Sequence, residues 1–531
     1  MRQSTRLILN TGATYARMFL TVGLGILATR WALQTLGVVE FGIFAGLVST
    51  VGILLVISDG LGEAVERFLA FEIGRGDPQR QREFFGTALA IMLAAMVVVL
   101  LAGLPLGKLV IDVTIGGSPN VSAARAASPA LFWAYASVLA GLGFQIGSVP
   151  FRSMFRAHQA LALLTVIDTL ESVLRLLAVV AAMTAPTGSD ALLILCGATM
   201  LAQLATALAV TAFCMRLYPD ARAGPRHFSR AALRELGSFA GWSILGTISY
   251  RLRMSGTPLL LLSAFGAVIA GAYAIAVQVA GYQLNISAAM GKAVQPAITQ
   301  AAGRGDHASV RQLVPSLNKL ATLLALFYLV PLVIETELVL DLWLMRGGRA
   351  TTIAPETAPF VRLMLLIMGL PWLYSGYHAA IMADGRIRFY MLSAVIIEAI
   401  GLGVATLAAT MLGAPPAAVP AIGLATACFA MCFWVAHISR LMEIPLREWL
   451  TKTWGPVLAV ALPGIAGAMV VHMLMPRDWP RLLVVGITYG AIAAPLMWVF
   501  GLSEFEKPHI RRVAGAAAAR VGLRLGGAPG A

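Results

Sequence analysis

Residues 37–77 read GVVEFGIFAGLVSTVGILLVISDGLGEAVERFLAFEIGRGD, and residues 266–306 read GAVIAGAYAIAVQVAGYQLNISAAMGKAVQPAITQAAGRGD. At a constant offset of 229 the two stretches align without a gap and agree at 16 of 41 positions. Leu61-Gly62-Glu63-Ala64-Val65 falls over Met290-Gly291-Lys292-Ala293-Val294, and both copies end on Gly-Arg-Gly-Asp, at 74–77 and 303–306. The glycines of this twin motif suit the turn after a helix, so it reads as a relic of duplication in a loop rather than an adhesion signal. A further match follows at an offset of 227, with Glu171 over Glu398 and Ala178, Ala181 and Ala182 over Ala405, Ala408 and Ala409.

Around the repeat the chain is apolar from end to end. Of its 531 residues, 59% are hydrophobic and 12% charged, with a mean hydropathy of +0.82. Soluble domains carry about 45–50% apolar and about 25% charged residues, which excludes a water-soluble enzyme of this length. Runs long enough for a hydrocarbon core, about 20 residues each, fall at 8–29, 41–62, 84–106, 129–151, 163–184, 191–213, 237–262, 264–290, 317–334, 360–383, 389–412, 420–438, 454–475 and 481–502. The fold class expected is an all-α polytopic membrane protein of about 14 transmembrane helices. The second run maps on the eighth and the fifth on the eleventh, six spans apart, so the copies share one orientation. Parallel repeats imply two six-helix bundles around a central cavity, related by an axis along the membrane normal, with two C-terminal helices appended. The expected division is an N-terminal lobe at 1–215, a basic cytoplasmic linker at 216–236, a C-terminal lobe at 237–440, two extra helices at 441–502 and a basic cytoplasmic tail at 503–531.

The net charge of +14, from 39 Lys and Arg against 25 Asp and Glu, follows the loops. With both termini cytoplasmic and cations at span edges counted with the adjoining loop, 27 of these cations fall inside, 8 outside and 4 deep within spans, the bias of a membrane protein rather than of a nucleic-acid binder. The first span is too long for a cleaved leader and carries Arg17 at its centre. The tail, with Lys507, Arg511, Arg512, Arg520 and Arg524, reads either as a short basic helix on the anionic inner leaflet or as a solvated end. Cys196, Cys214, Cys428 and Cys432 lie in or beside apolar runs with no His partner, so they read as packing residues, and no metal site is expected.

Charge inside a span costs roughly 2.5–3.5 kcal/mol on insertion scales, so such residues face a cavity or a partner. Arg17 lies at the middle of span one and Arg251 and Arg253 at the middle of span seven, its repeat counterpart. Guanidinium groups facing one another across a cleft suit a phosphate or pyrophosphate, which they hold bidentately. Residues two apart on a regular helix point about 200° apart, so Arg251 and Arg253 cannot both face the cleft unless Gly256 and Pro258 break the helix. In span five, Asp168, Glu171 and Arg175 form one charged stripe, with Glu171 and Arg175 in the favourable order for an ion pair. Glu398 has no such partner in its own helix and is the leading candidate for a titrating site coupled to a proton or Na⁺, with the Asp168–Glu171–Arg175 stripe second. Gln145, Gln278, Gln283, Asn285, Tyr250, Tyr273 and Tyr282 serve either as a sugar-compatible wall or as interhelical glue.

Several elements resemble the polysaccharide transporter family of the multidrug/oligosaccharidyl-lipid/polysaccharide exporter superfamily, which includes O-antigen flippases. They are the opening Arg6–Thr11 run, the Leu36–Phe44 element, Arg67-Phe68 with the following Gly-Arg-Gly-Asp, and Ala383-Asp384-Gly385-Arg386-Ile387-Arg388 leading into Ile396-Ile397-Glu398-Ala399. The resemblance implies alternating access and outward flipping of a polyprenyl-pyrophosphate-linked oligosaccharide across a bacterial inner membrane, for lipopolysaccharide or exopolysaccharide. It implies no cofactor beyond proton or Na⁺ coupling, and partners limited to membrane lipids and polysaccharide polymerase machinery. It also implies a cationic cavity, onto which Arg17 and Arg251 fall by position, with Arg30 near the outer end of span one meeting the same head group later.

Two alternatives share the superfamily. A peptidoglycan lipid-precursor flippase would use a similar cavity, and a cation-coupled multidrug antiporter would be expected to offer acids where span one offers Arg17. No Walker lysine loop and no His-Glu-x-x-His are present, and the largest outer loop, about 335–359, is too small for an exported catalytic domain. The chain is therefore read as a transporter and not as an enzyme.

Overall fold

The duplication seen in sequence is a duplication of backbone geometry. In the computed structural model Gly37 adopts φ 75°, ψ 172° and Gly266 adopts φ 97°, ψ 173°. Gly76 and Gly305 are left-handed at φ 71° and 70°. These are positions 229 apart, and a residue with a Cβ is strained there. The turns they make have the same hydrogen bonds: the amides of Asp77 and Gly76 donate to the carbonyls of Glu72 and Ile73, and those of Asp306 and Gly305 to Ala301 and Ala302. Each Asp then caps the next helix, Asp77 accepting from the Arg80 amide and Asp306 from the Ser309 amide, both at 3.0 Å. The Gly-Arg-Gly-Asp motif is thus a helix stop followed by a helix start.

The structure describes residues 3–117, 121–122, 128–222, 224–344, 354–504 and 506–508, and the side chains of 3–19 and 284–293 lie outside that description. Eighteen α-helices follow in order: α1 (Gln3–Gly52, broken at Gly37), α2 (Leu55–Arg75), α3 (Pro78–Ile111), α4 (Pro129–Ala157), α5 (Leu161–Ala182), α6 (Gly188–Leu217), α7 (Arg230–Arg251), α8 (Thr257–Phe265) and α9 (Ala267–Gly303). Then come α10 (His307–Ile334), α11 (Thr336–Leu344), α12 (Ala354–Gly369), α13 (Ser375–Asp384), α14 (Ile387–Thr410), α15 (Ala418–Leu441), α16 (Leu446–Trp449), α17 (Gly455–Leu474) and α18 (Trp479–Leu496). No strand occurs among the described residues. Among the described residues ten helical stretches are long and apolar enough to cross a membrane, and the chain is a multi-pass membrane protein.

The four expected spans outside those ten are the second, fifth, seventh and eighth. The fifth is the helix α5 with its three charges. The seventh is α7 and α8 joined through a π-helical turn at Leu252–Gly256, and the eighth begins at Ala267, just after Gly266. The second needs the largest redrawing. Helix restarts after Gly37, turns at 53–54 and runs to Arg75, where 41–62 was expected. Asp59 falls inside the expected span and Glu63 and Glu66 in the loop after it, and each has a partner within the protein: Arg251, the Ser243 hydroxyl and Arg156 respectively. The expected outer loop at 335–359 likewise contains α11, and Arg346 and Arg349 lie outside the described residues.

The chain forms two compact units, each made of several segments. One comprises 1–279, 343–364 and 388–426, and the other 280–342, 365–387 and 427–531. In the first, the two copies of the repeat touch at equivalent glycines. A Cβ on Gly42 would lie 1.7 Å from the Ala267 carbonyl oxygen, and one on Gly271, its counterpart, 3.3 Å from the Gly42 Cα. Gln278 joins the same helices, accepting from Thr29 at 2.6 Å and donating to the Gly25 carbonyl at 3.1 Å. The second unit packs α17 and α18 on α10 through Leu323, Val330, Val460, Val485 and Tyr489.

Candidate functional site

The first unit gathers most of the charges singled out from sequence. α7 carries Arg251 at its end and the π-helical turn carries Arg253. The two side chains leave in different directions, as the 200° argument requires. Arg251 Nε donates to Asp59 of α2 at 3.0 Å, and its Nη2 reaches the same oxygen. Arg253 makes a two-pronged pair with Glu398 of α14, Nε to Oε1 at 3.0 Å and Nη2 to Oε2 at 2.5 Å. Glu398, with no cation one turn away on its own helix, takes one from 145 positions away. Its side chain is 11% exposed, against 39% for Asp59. One pair is enclosed, and the other has an open carboxylate that a competing anion or solvent can reach.

A second cluster lies on α5. Glu171 accepts from Arg175 at 2.7 Å, the expected i, i+4 pair. Arg152 of α4 adds what the sequence did not suggest, donating to Asp168 at 2.6 Å and to Glu171 at 3.4 Å. Arg152 lies just beyond the apolar run at 129–151, yet α4 continues to Ala157 and carries it. With two carboxylates and two guanidinium groups the cluster neutralises itself, which favours the structural reading of this stripe. Arg30 is half-buried. Arg17 lies in α1, but its side chain is outside the described residues, as is that of Asn285.

The polar residues proposed as wall or glue divide. Gln278 is glue, and Tyr273 is buried, with its ring against Phe360 and its hydroxyl 3.1 Å from the Met364 sulfur. Tyr250 is 48% exposed. Gln283 is fully buried, and neither of its amide atoms is hydrogen-bonded among the described residues.

The second unit holds two buried charge sets absent from the sequence reading. Glu335 accepts from Arg481 at 2.8 Å and meets His472 Nδ1 at 2.8 Å. Lys319 donates to Glu506 at 2.7 Å, fixing the chain just beyond the last span. Burial pushes Glu506 up, but hydrogen bonds from Lys319, Ser316 and the Ser503 amide outweigh it and hold the carboxyl below its usual range. Outside the spans, hydrogen bonds from the Ser309 hydroxyl and amide also hold Asp306 below the usual carboxylate range. Among the described residues no group of His, Cys, Asp and Glu is arranged to hold a metal.

Residues 8–302, more than half of the chain, match the sequence model of a family described as polysaccharide biosynthesis protein. No curated protein matches the chain in sequence. Among solved structures, a multidrug resistance MATE family transporter of the MOP superfamily, inward-facing, is 16% identical over 80% of this chain and 96% of its own, with a TM-score of 0.65. The lipid II flippase MurJ, in an inward closed conformation, is 11% identical over 92% of this chain and 99% of its own, with a TM-score of 0.67. A MOP superfamily transporter from Pyrococcus furiosus, whose description reports a binding pocket of reversed polarity, is 14% identical over 82% and 96%, with a TM-score of 0.58. At these identities the likeness is one of fold.

Proposed function

Because the chain belongs to the polysaccharide biosynthesis protein family, we propose that it is a flippase for a polyprenyl-pyrophosphate-linked oligosaccharide, acting in a bacterial inner membrane with both termini cytoplasmic and feeding a polysaccharide polymerase. The observation that carries this reading is the pair of arginines beside the π-helical turn, each held by a carboxylate from another helix. A guanidinium already paired at depth is oriented and desolvated, and a pyrophosphate that displaces the half-open Asp59 gains a bidentate contact there. Arg17 and Arg30 are assigned to the same anion by their places in the first span. The cycle is alternating access of the lobes 1–215 and 237–440.

Glu398 is the proposed coupling group. Proton uptake would release Arg253, and a proton or Na⁺ gradient supplies the drive. The self-neutralised Asp168, Glu171 and Arg175 are a secondary choice for that role.

Deletion of the gene tests the cargo. Accumulation of a defined, cytoplasm-facing lipid-linked oligosaccharide with loss of surface glycan is the expected result. Accumulation of the peptidoglycan lipid precursor instead would transfer the reading to that cargo. Unchanged lipid intermediates with greater drug sensitivity would move it to multidrug export. Arg17→Ala and Arg251→Ala are expected to abolish flipping at normal membrane abundance, and full activity in both removes the cationic site. Glu398→Gln is expected to flatten the dependence of transport on the proton or Na⁺ gradient in vesicles, and an unchanged dependence excludes it as the coupling group.

A further inference from the structure

The segment joining α6 to α7 is a folded platform rather than a slack connection. Ala221, Ala232 and Leu236 are buried, and the Ser229 amide donates to the Thr87 hydroxyl of α3 at 3.0 Å. At Gly86 the platform comes so close that a Cβ would lie 2.9 Å from both the Gly224 carbonyl oxygen and the His227 Cβ. Tyr218 stacks on His158 with ring centroids 4.2 Å apart.

The platform's two acids are already paired with α3, Asp220 with Arg82 at 2.7 Å and Glu235 with Arg80 at 2.9 Å. Its own cations are left outward. Arg216, Arg226, Arg230 and Arg234 are exposed, and none has a side-chain partner among the described residues. Apolar side chains stand between them: Leu217, Phe228 and Leu233 are 53%, 45% and 39% exposed. On α7 the exposed Arg230, Leu233 and Arg234 share one face, while Ala232 and Leu236 turn to the protein.

We infer that this face is a docking surface for anionic phospholipid of the cytoplasmic leaflet, with the four arginines on lipid phosphates and Leu217, Phe228 and Leu233 among the upper acyl carbons. The occupant follows from charge and place. α6 is long and apolar enough to cross a membrane and α7 leads into the seventh expected span, which places the platform at the bilayer surface, and unpaired arginines interleaved with exposed apolar groups are the composition of an interfacial element. Each cation near an anionic bilayer strengthens association about fivefold. A protein partner would have to insert between this face and the lipid. The inference rests on the inward orientation of 216–236 and not on the identity of the cargo, so the deletion experiment and this one fail independently.

The test is hydrogen–deuterium exchange of the full chain in nanodiscs of phosphatidylcholine alone or of phosphatidylcholine with phosphatidylglycerol. Amides of 216–234 are expected to exchange about tenfold more slowly in the anionic discs. The combined Arg216→Gln, Arg226→Gln, Arg230→Gln and Arg234→Gln variant is expected to lose that difference, and added salt is expected to shrink it in the unaltered protein without any substitution. Equal exchange in the two lipids overturns the inference. So does protection that appears in phosphatidylcholine discs only when polyprenyl pyrophosphate is added, since the surface would then belong to the cargo's head group.

Discussion

Glu171 and Glu398 occupy equivalent places in the two copies of the repeat, yet they are neutralised in opposite ways. Glu171 draws on its surroundings in the chain: Arg175 is one turn away on the same helix, and Arg152 lies at the end of the preceding one. Glu398 pairs with Arg253, from a segment far away in sequence. A cluster built from neighbours survives any movement that keeps two consecutive helices together. A pair built across distant helices breaks when those helices part, so its carboxylate can report a change of conformation. The duplicated carboxylate was kept, and the difference lies in who answers it.

Substitutions that remove one partner separate the two arrangements. The largest effect is expected for Arg253→Ala, which leaves Glu398 enclosed and unpaired at a cost of about 3 kcal/mol. Thermal unfolding in detergent reads it, and adding Glu398→Ala should recover part of the loss, since no buried charge is then left alone. Arg152→Ala comes next, at about 2 kcal/mol, because Asp168 and Glu171 are left to repel while Arg175 still serves one of them. If Arg152→Ala is as damaging as Arg253→Ala, the two clusters do not differ in kind.

The twin Gly-Arg-Gly-Asp turns extend the comparison. Asp77→Ala removes a helix cap and should cost about 1 kcal/mol. At Asp306 the carboxyl, held below its usual range by the Ser309 hydroxyl and amide, contributes above the ordinary carboxylate range and loses its contribution as pH falls through its lowered value. Asp306→Asn should flatten the acid limb of the stability profile, and an unchanged limb would show that the cap carries no charge-dependent stability. The smallest effect is expected for Arg175→Ala, a few tenths of a kcal/mol, because its side chain is 47% exposed and Glu171 keeps Arg152.

Local regularities were legible in the sequence because they depend on short stretches of chain. Apolar runs marked the spans, and the offset of 229 located the glycines that stop α2 and α9. The Glu171–Arg175 pair needed only helical periodicity. The errors fall where a charge is satisfied from afar. Glu63 and Glu66 read as loop because a carboxylate beside an apolar run looks like water, and Arg152 reads as loop for the same reason, although all three are paired within the protein. A signal was available: Asp59 and Glu63 are places where the first copy of the repeat departs from the second, with Ala288 and Lys292 opposite them.

Sequence alone therefore determined the helical membrane architecture, the parallel duplication and the family resemblance, because hydropathy, periodicity and repeat spacing are properties of neighbouring residues. The tertiary structure alone decided the partners: Asp59 for Arg251, Glu398 for Arg253, Arg152 for Asp168, Arg481 for Glu335 and Lys319 for Glu506. A buried charge takes whichever opposite charge packing brings within about 3 Å, and helices in lipid pack through small residues and shape, as at Gly42 and Gly271, which no spacing along the chain encodes.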